Sequence, residues 1–163
     1  MTFNHYIIGI SSLVKPSRHD LIEVFPNGWN NLRLPSHTHF TLTLSEVLVE
    51  VKERYDELAS WAKRNKRISL LPIKKQIRIL NDILKNYPTS VNENRKYDVD
   101  AGVVVLAVEM TNGIQQTLTQ IKRIVVTEEK LRPNKITIPY VCNKHSIEYI
   151  SIIEMFRVER WNF

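Results

Sequence analysis

The residues able to do chemistry are acids, and they come in close pairs. Glu46 and Glu50 stand four apart, Asp98 and Asp100 two apart, and Glu128 and Glu129 are adjacent. Each pair has an ordinary structural account. Asp98 and Asp100 could favour a helix N-terminus through its dipole, as could Glu46. Glu50 could pair with Arg54 on a solvated face, and Glu128 and Glu129 could be loop charges. A convergent set of carboxylates would be different. Two of them within about 4 Å repel by roughly 4 kcal/mol at an effective dielectric near 20. A hard dication such as Mg²⁺ or Mn²⁺ relieves that repulsion, because oxygen donors suit it. Held there, it could activate water and neutralise charge on a phosphodiester.

Other chemistries have weaker support. His37 and His39 fall on one side of a strand, a spacing that suits a metal but also an exposed edge. Cys142 is the only cysteine, so neither an internal disulfide nor a zinc ribbon can form, and a small core residue is the simpler role. No glycine-rich phosphate loop, dinucleotide fingerprint or Gly-x-Ser-x-Gly elbow occurs among the four glycines.

Several elements must position these acids. Tyr6–Ile10 is an apolar, β-branched run that predicts a buried strand. Trp29 and Leu32 suggest a short helix. Apolar residues at helical spacing predict a helix over 45–63, with Ser45 as N-cap, and another over 72–87, with Pro72 in its first turn. The run Val103–Val108 predicts a buried helix starting near Asp98. Ile124–Val126 reads as a second buried strand, Ile138–Lys144 as a short helix with Pro139 in its first turn, Tyr149–Ile150 as a third strand, and Ser151–Arg157 as a last helical turn or two. Strands alternating with helices point to an α/β fold with parallel pairs, whose ligands sit beyond the carboxyl ends of the strands. The residues just after Ile10 and Val126 should then face the site.

With 163 residues the chain is the size of one domain, here 1–163. Its 23 Lys and Arg against 17 acids give a net charge of +6, which favours an anionic partner such as nucleic acid. No apolar run is long enough to span a bilayer and no signal-peptide pattern opens the chain, so a cytoplasmic protein is expected.

Phe25-Pro26 with Trp29, Asp56–Trp61, Asp98-Val99-Asp100-Ala101, Ile124–Lys130 and Lys135–Cys142 occur in an order that resembles an uncharacterised PIN-like family related to VapC-type toxins. The resemblance covers nearly the whole chain. It implies a PIN-like fold, a mainly parallel central sheet flanked by helices, with an acidic metal site at one end. It further implies a Mg²⁺- or Mn²⁺-dependent endoribonuclease, an RNA substrate, a cognate antitoxin protein and a homodimer. Asp100 matches the family's acid at the start of the central helix and Asp98 a frequent companion. Glu129 matches the acid two residues after the strand-end Thr127. Glu50 matches the helical acid, with Glu46 the alternative one turn earlier. At the first strand the family has Asp where this chain has Gly9, and a hydroxyl residue where it has Ile10. Glycine brings no ligand, so the resemblance implies impaired catalysis, or an inactive module that binds RNA or antitoxin.

Overall fold

In the computed structural model the described residues are 2–17, 26–32, 39–54, 56–70, 78, 85, 99–112, 120–132 and 137–161. Strand β1 (Thr2–Ile8) is followed by α1 (Ile10–Ser17) and α2 (Pro26–Asn31). Then come β2 (His39–Leu44), α3 (Ser45–Arg54), α4 (Asp56–Arg64), a 3₁₀ turn (Lys66–Ile68) and the two-residue β3 (Ser69–Leu70). After α5 (Val99–Asn112) come β4 (Gln120–Val126), α6 (Ile138–Lys144), β5 (Glu148–Ile150) and α7 (Ile152–Val158).

The five strands form one sheet in the order β3-β2-β1-β4-β5, and every pairing is parallel. Parallel neighbours need crossover connections, and the helices supply them. This is the α/β architecture expected, a parallel sheet flanked by helices, and it is compatible with a PIN-like fold. Ile8 is in register with Val126, and Val126 with Ile150.

Both central strands are most deeply covered in their carboxyl halves. Along β4, exposure at Gln120 and Lys122 gives way to burial at Ile124, Val125 and Val126. Tyr6, Ile7 and Ile8 of β1 are fully buried, each a gain of roughly 1.5–3 kcal/mol over an exposed side chain. Helix α5 carries six consecutive buried residues, Val103–Val108, and packs on β1, β2, β4 and α6. Burial all round is why its sequence showed no helical stripe. Trp29 of α2 meets Trp61 of α4 edge to face at 5.3 Å. Trp161 packs on Phe156 at 5.3 Å.

Some boundaries differ from expectation. Ile10 belongs to α1 and not to the first strand, because the chain turns at Gly9. The helix expected over 45–63 is two helices, α3 and α4, and Ser45 is the first residue of α3. Strand β3 was not foreseen, since two residues carry no periodicity. Of the helix expected over 72–87 only Arg78 and Lys85 are described, both helical and exposed. No helix among the described residues is long and apolar enough to cross a membrane.

Candidate active site at the carboxyl ends of β1 and β4

Successive strands extend the sheet one way from β1 through β2 to β3, and the other way from β4 to β5. The order therefore reverses between β1 and β4. In open parallel sheets that reversal leaves a crevice beyond the strand ends, the usual place for a ligand. The residues at this point are Gly9, Ser11 and Thr127–Glu129.

Gly9 directly follows β1. Its N–H donates to the carbonyl of Val126 at 3.0 Å, and its own carbonyl accepts from Ser12 N at 3.2 Å to open α1. Its φ is not positive. A Cβ placed there would lie 3.5 Å from the Val126 carbonyl oxygen and 3.8 Å from Ile138 Cδ1, both ordinary contacts. Neither backbone nor neighbours require glycine at this position.

Two hydroxyls set the loop after β4. Thr127 N–H donates to the Ile150 carbonyl at 3.0 Å, and buried Thr127 Oγ1 lies 3.3 Å from Ser11 Oγ. Ser11 Oγ accepts from Glu128 N at 3.1 Å, and Thr127 Oγ1 accepts from Glu129 N at 3.2 Å. The α1 turn and the β4 loop are thus clamped together across the switch point. Beyond the clamp the two glutamates diverge. Glu129 Oε2 accepts from Ile138 N at 2.8 Å, at the start of α6. Glu128 Oε1 accepts from Ile152 N at 2.9 Å, at the start of α7. Both carboxylates satisfy N–H groups that a helix leaves open, with a favourable dipole. At α6 this replaces the cap that Thr137 does not make, while at α7 it supplements a capping box of Ser151 and Glu154.

Glu129 thus lies beyond the carboxyl end of β4 and has a structural role. It shares Ile138 with Gly9: the carboxylate holds Ile138 N, and a side chain at position 9 would touch Ile138 Cδ1. Asp100 is in the first turn of α5. Glu46 is in the first turn of α3, which leaves the carboxyl end of β2 directly, and Glu50 is one turn further along. Asp98 and His37 lie outside the described residues. His39 begins β2, at the end of the strand away from the switch point.

Cys142 is fully buried, the core role expected of it. Burial, and secondarily the charge of Glu129, push its thiol up to about 12. The role of Glu128 as a cap on α7 had no signal in sequence, because its partner is 24 residues away. Ser11 was equally hidden, since its partners lie more than a hundred positions along the chain.

Among the described residues no group of three or more His, Cys, Asp and Glu is placed to hold a metal ion. In its chemistry the expected donor set, carboxylates alone, fits a hard dication. Gly9 leaves that set one ligand short.

A family model described as a domain of unknown function (DUF4411) matches residues 6–163. No curated protein and no solved structure matches the chain. The chain belongs to the DUF4411 family.

Proposed function

We propose that this member of the DUF4411 family is a PIN-like endoribonuclease that depends on Mg²⁺ or Mn²⁺, the toxin of a toxin–antitoxin pair, with activity impaired by Gly9. The observation that carries the reading is that Gly9, bonded to the Val126 carbonyl, and the loop of Glu129 lie side by side at the switch point of a parallel sheet. These are the two positions where the resemblance puts strand-end acids.

In this reading Asp100, Glu129 and Glu50 would hold the cation, Asp98 would assist, and Glu46 is the alternative to Glu50. A bound Mg²⁺ or Mn²⁺ would supply charge neutralisation at the phosphodiester and an activated water. The chain's own contribution is rigidity. Ile138 N fixes one oxygen of Glu129, and Thr127 and Ser11 fix the backbone from which Glu128 and Glu129 spring. Ligands held by such contacts keep their geometry, and loss of the supporting bonds commonly costs 10–100-fold in affinity or activity. A cognate antitoxin, pairing of two copies and a cytoplasmic setting belong to the same reading.

Isothermal titration of the Gly9→Asp variant with Mn²⁺ tests the site. Binding that disappears on adding Glu129→Ala supports it, and no binding by Gly9→Asp rejects it.

Gly9 itself favours a second reading, a non-cutting module that binds RNA or antitoxin. Its mark would be RNA binding that needs no metal and never leads to cleavage.

A further inference from the structure

The positive charge of the chain is concentrated in one tract. From Leu58 to Asn81 there is no acid, while Lys63, Arg64, Lys66 and Arg67 are followed by Lys74, Lys75 and Arg78. The whole chain is +6, so outside this stretch acids outnumber bases by one. The basic character of the protein is therefore local.

The fold presents the first four of these cations together. Helix α4 buries Leu58, Trp61 and Ala62, leaving Lys63 and Arg64 exposed in its last turn. Arg64 Nε donates to Ser60 O at 3.3 Å. Buried Asn65 closes the helix by donating from Nδ2 to Trp61 O at 2.7 Å. The chain then enters the 3₁₀ turn with Lys66 and Arg67 exposed. Two residues later it becomes β3, whose Ser69 and Leu70 pair with Thr43 and Leu44. Leu44 immediately precedes α3, the helix of Glu46 and Glu50. The cations thus lie where the chain enters the edge strand β3, which pairs with the carboxyl half of β2.

Two bland accounts fall short. Cations in a last helical turn complement the helix dipole, which accounts for Lys63 and Arg64. It does not account for Lys66 and Arg67 or for the absence of acids through residue 81. A general solubility charge would be spread and interspersed with acids. The composition of the patch also selects its partner. Protein interfaces place apolar or aromatic residues at their centre. Among the described residues the exposed large apolar ones, Val49, Leu131 and Val158, lie outside the tract. A cluster of exposed cations, with no exposed large apolar residue among the described residues of the tract, suits a phosphodiester backbone.

We infer that the tract from Lys63 to Arg67 is a surface that holds the RNA backbone at the edge of the sheet. The inference rests on the RNA reading above but not on cleavage. Four contacted phosphates on a single strand give a slope of about −2.8 in log affinity against log salt, or about 50-fold between roughly 50 and 200 mM.

The test uses the full chain, EDTA, and fluorescence anisotropy with a short single-stranded RNA of mixed sequence. Changing Lys63, Arg64, Lys66 and Arg67 together to Gln should flatten the slope by about 2.8, and Lys63→Gln with Arg67→Gln by about half that. The double variant keeps the test open should the quadruple variant not fold. A comparison variant with Lys130, Arg132, Lys144 and Arg157 changed to Gln, all exposed, should keep the slope. An unchanged slope in the tract variants, equal flattening in the comparison variant, or competition by polyglutamate as strong as by RNA overturns the inference. Cleavage is scored separately. Binding through the tract without cutting retains this surface and removes the nuclease reading. Cutting by Gly9→Asp at unchanged kcat/KM in the tract variant does the reverse.

Discussion

Replacing Gly9 separates backbone from charge. The residue has no positive φ, and an added Cβ meets only ordinary contacts at 3.5 and 3.8 Å. Gly9→Ala should therefore stabilise the chain by about 0.4–1 kcal/mol, by narrowing the unfolded ensemble. Gly9→Asp keeps that gain and adds a carboxylate on the Ile138 side, where Glu129 Oε2 already holds Ile138 N at 2.8 Å. If the proposed cluster brings the two carboxylates to about 6 Å, they repel by roughly 3 kcal/mol at an effective dielectric near 20, less as solvent screens them. In EDTA the Asp variant should thus melt below the Ala variant. Mn²⁺ at about a hundredfold over Kd should return roughly 2.7 kcal/mol. At about 2–4 °C per kcal/mol that is a rise of roughly 5–11 °C in Tm. Differential scanning calorimetry of the chain and both variants, in EDTA and in Mn²⁺, reads all of this. If Asp and Ala variants melt together in EDTA, and Mn²⁺ moves neither, no carboxylate cluster exists at this point and the reasoning fails.

Gly28→Ala should behave oppositely to Gly9→Ala. Its Cβ would sit 2.6 Å from Cε2 of the buried Phe156 ring, so overpacking of about 1–3 kcal/mol outweighs a helix-propensity gain near 1 kcal/mol, and urea unfolding should record a net loss. Thr127→Val removes the acceptor for Glu129 N and should cost about 1–3 kcal/mol in the same assay. A change near zero would mean that the clamp is not formed. Cys142 should resist iodoacetamide at neutral pH in the native state and react once unfolded. Its thiol is raised from 9.0 to about 12, so the stability it contributes is full below about 9 and lost as pH rises toward about 12. Native labelling as fast as that of the unfolded chain would contradict its burial.

Much of this arrangement was legible before any coordinates. Val103–Val108 and Ile124–Val126 are apolar throughout because both sides are covered, and such runs announce buried elements even without period. Pro139 marked the first turn of α6 through a local backbone rule, and the structure agrees, whereas Ser151, read as the first residue of the last helix, is the N-cap of α7. Strand order was another matter. It depends on which surfaces meet across a hundred residues, and no local pattern in β2 or β3 encodes it. The same holds at the site. Glu129 could be picked out by its place after a strand, but its hold on Ile138 and the clamp of Ser11 on Thr127 are tertiary facts. The division into α3 and α4 escaped because apolar spacing continues through the whole of 45–63.

RNA cleavage in Mn²⁺ by the chain and by Gly9→Asp, side by side, tests the central claim most directly. The account predicts that only the variant cuts, and that EDTA or an added Glu129→Ala abolishes the cutting. Equal cleavage by both proteins, or none by either across a broad set of RNAs, would contradict it.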